Sequence, residues 1–533
     1  MKKKRFIKIV FAVFILIILL FIITIVFLTP WLDGKIKSAL SNQDSAYTIE
    51  YAKTHVILFN REIKLESVSI NTKNPVPDKN ELTAHIDDIS FKGINIFKLI
   101  FNNDLNIREI IIKEPQASGT IPFKVDSVKA VLMPLNLELG KLVLDNLSFS
   151  IKDTSSPKSY VIKNGDLEFT GIHISKNDTL SKNVLKQMDI KLPFFSTITA
   201  DSLYTLTVRQ FEYSGEKGIL SIDSFYSHPN YEGYDFTNRK EFVTSRMDAA
   251  VGDIILHDFN LPGLIDSGEL ISSYVEIGDL ALKVFKDGRK KIKHVERPML
   301  QEMIYSYPGR LQIDSLFINS GNIIYTEHAL KAASPGTVTF KKVESRIYNI
   351  NSDTLQQSKD SWLEINAGCD FMGTGKLDVT LRAKYGDGSN LFIFRGSLGA
   401  MQVDDLNPII EKNAGLSANK GMIDKMKFNL SGNNFNSSGD LLLLYHDLTL
   451  DMEIKDLEEK SEVKELIISF IANLKIKNAN PLPGQEVRKG EIYFERDKER
   501  YIINYCFKSV LSGVLSTIIN VKDTPEKPKR KGE

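Results

Sequence analysis

Ile63-Lys64-Leu65-Glu66-Ser67-Val68-Ser69-Ile70 is the stretch whose reading decides the fold. Ile63 and Leu65 alternate as on a half-buried strand, and so do Val68 and Ile70. The polar pair Glu66-Ser67 between them shifts the phase by one residue. On a straight strand the two apolar pairs would face opposite sides. The segment must therefore bulge, bringing both pairs to one face, or bend between two apolar walls. Either way the sheet is curved.

The same octet, apolar-x-apolar-x-x-apolar-x-apolar, begins again at Ile89, Leu105, Leu142, Leu167, Leu206, Ile254, Val275, Leu311 and Leu443. A chain with 42% hydrophobic residues yields about five such octets by chance, so the excess is moderate. From Leu105 to Leu311 the starts mostly alternate between long and short intervals. That spacing is too irregular for a solenoid of fixed period, but it suits an antiparallel meander with uneven loops. The expected fold is mainly β: an elongated, curved antiparallel sheet with a few short helices, at Leu180 to Met188, Val295 to Tyr305 and Val403 to Asn413.

Ile9 to Leu28 is apolar except for Thr24, long enough at about 1.5 Å per residue to cross a hydrocarbon core of about 30 Å. Thr29, Pro30 and Trp31 follow directly, with no small-residue cleavage site, so an uncleaved anchor is expected. Lys2, Lys3, Lys4, Arg5 and Lys8 crowd its N-terminal flank, against Lys35 and Lys37 beyond it. The positive-inside rule then places the N-terminus in the cytoplasm and the bulk of the chain across the membrane. Four segments are expected: the flank and anchor at 1–30, a β body at 31–350, a second β region at 351–521 with an amphipathic helix near Glu462 to Asn473, and a disordered basic tail at 522–533.

With 68 Lys plus Arg against 67 Asp plus Glu, no overall field directs the chain to nucleic acid. The eight histidines are dispersed, no cysteine pair has zinc spacing, and nucleophile elbows and phosphate-cradling loops are absent from the sequence. An enzyme, a metal site and a cofactor are accordingly not expected. His257-Asp258 and His446-Asp447 fall in the polar centre of the octet, where a strand bend accounts for them better than catalysis. Arg289 to Arg297 is the densest internal basic cluster, readable as a solvated loop or as a contact for anionic headgroups. Cys369 and Cys506 are either two small buried residues or a disulfide.

A sheet with one apolar face must cover it, either with protein in a closed core or with something else. In the second case acyl chains would line an open groove. The candidate lining is Ile63, Leu65, Val68 and Ile70; Ile89, Phe91, Ile94 and Ile96; Leu142, Leu144, Leu147 and Phe149; and Leu311, Ile313, Leu316 and Ile318.

The basic N-terminus, the single anchor and the strands Ile86 to Ile96 and Leu105 to Pro115 resemble the AsmA-like family of bacterial inner-membrane-anchored periplasmic proteins. So do Leu311 to Glu327, with Ser320-Gly321-Asn322-Ile323-Ile324-Tyr325, and the run from Leu406-Asn407-Pro408 through Met422 to Leu430 and Ser438-Gly439-Asp440-Leu441. The resemblance implies a taco-like β-groove related to TamB and the bridge-like lipid transfer proteins. It implies phospholipid as cargo moved toward the outer membrane, an outer-membrane or envelope protein as partner, and no catalytic residues. Sixteen to twenty strands at about 4.8 Å would give a groove of roughly 80 to 95 Å, too short to bridge an envelope alone. The competing expectation is a closed β-sandwich scaffold or assembly factor for outer-membrane proteins that moves no lipid.

Overall fold

The computed structural model describes residues 46–57, 61–95, 104–121, 136–155, 157–174, 188–330, 332–353, 361–414, 416–452 and 477–518, with isolated positions between 30 and 37. The expected anchor at 9–28, the 462–473 amphipathic helix, the tail and Ile96 lie outside these residues, as does the expected Leu180 to Met188 helix except for Met188, which opens a strand. Among the described residues, no helix is long and apolar enough to cross a membrane. Twenty-two strands belong to one curved, mixed sheet, and the chain divides into two compact units, Met1–Asp223 and Ser224–Glu533.

The first unit holds β1 (Tyr47–Glu50), β2 (Lys53–Ile57), β3 (Glu62–Thr72), β4 (Glu81–Lys92), β5 (Asp104–Lys113), β6 (Gln116–Ile121), β7 (Asn136–Asp153), β8 (Ser159–Ile174), β9 (Met188–Ile198) and β10 (Tyr204–Ser214). β11 (Ile219–Pro229) spans the junction. Most neighbours are antiparallel, but β5 and β6 both pair parallel with β7. The expectation of a wholly antiparallel sheet is corrected here. A parallel pair cannot be closed by a tight hairpin; it needs a long crossover, here the chain between Ile121 and Asn136.

The second unit holds α1 (Gly233–Asn238), β12 (Ser245–His257), α2 (Leu261–Ser267), β13 (Leu270–Asp287), α3 (Leu300–Tyr305), β14 (Leu311–His328), β15 (Gly336–Asn351), β16 (Trp362–Phe371), β17 (Gly375–Lys384), β18 (Phe392–Leu398), β19 (Met401–Gln402), a 3-10 turn (Val403–Leu406), α4 (Asn407–Ala414), β20 (Leu416–Gly432), β21 (Asn436–Met452), β22 (Lys489–Glu495) and α5 (Ile502–Ile518). β13 and β14 are again parallel, joined by a crossover that carries α3. The helix expected from Val295 starts only at Leu300, after Pro298, where the Glu302 carboxylate accepts from the Met299 backbone N–H at 2.7 Å. Around residue 350, β15 pairs antiparallel with both β14 and β16.

Among the described residues after Lys489, β22 is a strand and α5 a helix that begins at Ile502. α5 lies along β22 with its small residues inward. Ser516 Oγ accepts from Glu491 N at 2.8 Å and donates to Glu491 O at 3.0 Å, and Ser512 Oγ accepts from Tyr493 N at 3.2 Å. These hydroxyls satisfy backbone groups that the end of a sheet would otherwise present to another chain. The approach is close: a Cβ on Gly490 would sit 2.3 Å from Gly513 O.

Candidate functional site

The octet resolves into a backbone device. In seven of its occurrences the second polar residue has left-handed φ: Ser67 (+50°), Gly93 (+69°), Asn146 (+59°), Gly171 (+64°), Gln210 (+48°), Asp258 (+51°) and Asp447 (+54°). One such residue resets the side-chain alternation, so the apolar pairs before and after it come to the same side. Where the octet at Leu105, Val275 or Leu311 lacks the conformation, the neighbouring strand supplies it. Gly93 stands against Arg108, Asp253 (+50°) opposite Gly278, and Asn349 (+61°) opposite Asp314. At Gly278 a Cβ would lie 2.7 Å from Asp253 Cβ, so the missing side chain makes room for the kink.

In the first unit these positions line up across strands. Ser67 lies opposite Asp87, and Glu114 (+48°) donates its N–H to Asp145 O at 2.8 Å. Asn146 N donates to Asp166 Oδ1 at 2.9 Å, and Asn164 (+54°) donates from Nδ2 to Asn146 Oδ1 at 2.8 Å. Gln210 then lies opposite Pro193. The β7–β8 register shifts twice, once for an extra residue on each strand, so the ladder recovers beyond the crease.

The consequence is a set of apolar rows running transversely over one face. Leu65 pairs with Ile89, Ile89 with Ile112, Ile112 with Leu144, Leu144 with Leu167, Leu167 with Ile190 and Ile190 with Tyr213. A second row runs Val56, Ile63, Phe91, Ile110, Leu142, Phe169, and a third runs Ile49, Ile70, Ala84, Ala117, Phe149, Ile162, Phe195, Val208. Leu65, Val68, Ile70, Ile89 and Phe91 share one apolar cluster, and Phe91, Ile94, Ile107, Ile110 and Leu142 share the next. Leu65 and Val68 are buried, whereas Ile63, Ile70, Ile89, Phe91, Ile94, Leu142, Leu144, Leu147 and Phe149 are half-buried. Among the described residues, helical Asp33 and Lys37 meet the β2 end of this unit, where Thr54 Oγ1 donates to Asp33 Oδ1 at 2.8 Å and the Lys37 ammonium lies 5.6 Å from the centre of the Tyr51 ring.

The Leu311 quartet has different surroundings. Leu311 packs against the core of the second unit, Ile313 is buried opposite Ile350, and Leu316 faces Ile347, which belongs to that core. The row Ile347, Ile365, Leu381, Phe394, Leu430 is roofed by Ile304 of α3, Ile410 of α4 and Val510 and Val514 of α5, with Phe392, Tyr505 and Leu441 almost fully buried beneath. Asn407 fixes the helical cover, its side-chain amide exchanging hydrogen bonds with Ala418 O at 3.0 Å and Ala418 N at 2.9 Å. Here the apolar face is closed by protein.

The other face of that sheet carries a trough of about 970 Å³. Its walls combine two polar rows, one running Arg346, Asn366, Thr380, Arg395, Asn429, Asp440 and the other including Glu344, Asp378, Lys427 and Lys489, with the apolar Phe317, Ile318, Val379 and Leu442. Thr380 Oγ1 donates to Asn366 Oδ1 and Arg395 Nε to Asn429 Oδ1, each at 2.8 Å, while the Arg346 guanidinium lies 5.6 Å from the centre of the Phe317 ring.

His446 Nδ1 donates to the Asp424 carboxylate at 3.0 Å on the surface, and that carboxylate raises its pKa; His257 stacks beside Tyr274 at 5.5 Å. Both Asp258 and Asp447 are kink residues. Cys369 and Cys506 are free thiols, and burial pushes them up to about 11 and about 12. Among the described residues, no three His, Cys, Asp or Glu side chains converge as metal ligands. The sequence reading missed Ile162 and Phe195 as members of the apolar rows, because they lie outside the octets and membership depends on cross-strand register. No family profile matches the chain, and no curated protein matches it.

Proposed function

We propose that the first unit is a lipid-handling surface, its transverse apolar rows covered by acyl chains of phospholipid. The observation that carries this reading is the continuity of the rows over β3 to β10 with half-buried aliphatic side chains. Six strand spacings of about 4.8 Å make a row roughly 29 Å long, comparable with a hydrocarbon core of about 30 Å. Each methylene removed from water contributes about 0.8 kcal/mol, so even partial cover of the rows by one chain is strongly favourable. The expected anchor would hold this surface at a membrane. The AsmA-like resemblance extends the reading to a periplasmic groove that passes phospholipid toward the outer membrane.

A closed scaffold remains the second reading, and the helix-roofed core of the second unit is what favours it. Native mass spectrometry of the full chain, purified in mild detergent and washed with lipid-free detergent, separates the two. The lipid-handling reading expects retained phospholipid in the parent chain and loss of it in the double substitution Ile89→Asp, Leu144→Asp with the β circular-dichroism signal intact. Equal lipid in both proteins, or a dry parent chain, would support the scaffold instead.

A further inference from the structure

We propose that one end of the second unit, made by the loop around Arg297, the turn between β20 and β21 and the first turns of α5, is a docking surface for an anionic phospholipid membrane. Four large side chains stand out there: Ile503 is 80% exposed, Phe435 65%, Phe507 55% and Tyr501 47%. Isolated exposed apolar residues are ordinary, but these four are tied into one surface. Arg496 N donates to Phe435 O at 2.8 Å, Arg297 N donates to Lys498 O at 2.7 Å, and Tyr501 immediately precedes α5, on which Ile503 and Phe507 lie one turn apart.

Cations frame the apolar tips. Lys498 Nζ lies 5.5 Å from the centre of the Phe435 ring, and the Arg297 guanidinium lies 5.0 Å from that of Tyr501, whose hydroxyl accepts from it at 3.2 Å. Two nearby carboxylates are matched in charge, Glu296 with Lys498 at 3.3 Å and Asp497 with Arg500 at 3.5 Å, while Glu499 lies 2.9 Å from the His294 ring nitrogen. Arg297 and the exposed Lys293 are left as a positive surplus. Aromatic and aliphatic tips ringed by Arg and Lys match a membrane interface, where rings sit at headgroup depth and long cations reach the phosphates. A twofold contact with a second copy would instead set the same cations against each other.

The reading concerns the second unit alone and is independent of lipid cover on the first. The test uses the full chain in phosphatidylcholine nanodiscs, with Ile503→Cys carrying an environment-sensitive nitrobenzoxadiazole dye. Cys506 and Cys369 stay protonated and slow to label because of their burial. Emission should rise several-fold on adding phosphatidylcholine vesicles that contain phosphatidylglycerol, and stay flat with phosphatidylcholine alone. Arg297→Gln and Lys293→Gln should each weaken the response about fivefold, from about 1 kcal/mol per cation. Phe435→Ser combined with Phe507→Ser should abolish it while the unfolding transition stays cooperative. The proposal is overturned by no response to anionic vesicles, by equal response to both vesicle types, or by emission that rises with protein concentration in the absence of vesicles, which would mark a second copy as the occupant.

Discussion

Left-handed backbone at Ser67, Asn146, Asn164 and Gln210 is disfavoured for residues with a Cβ, by about 1 to 2 kcal/mol each. The side chains offset part of this, since the Asn146 amide is held by Asn164 and its N–H by Asp166. Asn146→Val should therefore destabilise the chain by about 1 to 2 kcal/mol in urea unfolding, whereas Gln210→Gly should be neutral or stabilising by several tenths. Equal effects of a β-branched residue and glycine would mean that the crease is not under backbone control. A second residue-scale prediction concerns acid. Glu327 receives hydrogen bonds from Lys286 Nζ at 2.9 Å and the Tyr325 hydroxyl at 2.6 Å. Burial raises its carboxyl, but the charge of Lys286 and both hydrogen bonds outweigh that and hold it below the usual 4.5. A depressed carboxyl contributes stability above its unfolded pKa and loses it as pH falls through the folded value. Glu327→Gln should thus lower the thermal midpoint near neutrality and flatten its fall below about pH 4.5. An unchanged acid profile would show that the pair is energetically silent.

At the scale of the element, α5 works as a strand substitute. Its Ser509, Ser512, Gly513, Ser516 and Thr517 side meets β22, and Ser509 Oγ lies 2.7 Å from Ser437 Oγ. Gly513→Leu would drive a side chain into Ile492 and Leu441, whose atoms lie 2.7 and 2.9 Å from an added Cβ. Overpacking of this kind costs about 1 to 3 kcal/mol and should bare the β22 edge, read as faster amide exchange at Glu491 and Tyr493. Protection unchanged at those two amides would mean that the helix is not their cover. The helix was legible in principle from small residues recurring at helical spacing, Ser509, Ser512, Gly513 and Ser516. Alternation located the kink in the octets at Ile63, Leu142 and Leu206 directly. It could not do so at Leu105, Val275 or Leu311, because there the left-handed residue belongs to a neighbouring strand, and pairing partners are not written in local sequence.

For the whole molecule, one apolar pattern serves two ends. The second unit roofs its rows with α3, α4 and α5, while the described part of the first unit leaves its rows half-buried. Sequence alone stated open groove and closed core as alternatives; whether a face is covered depends on helices that dock from far along the chain, as α5 docks on β21 and β22. The most direct test of an acyl-covered face uses one strand against itself. Leu144 and Val143 are neighbours on β7 whose side chains point to opposite faces. With p-benzoylphenylalanine at Leu144 or Val143 in the full chain, irradiation in living cells followed by mass spectrometry should give phospholipid adducts at position 144 and none at 143. Adducts at both positions, or at neither, would contradict the account.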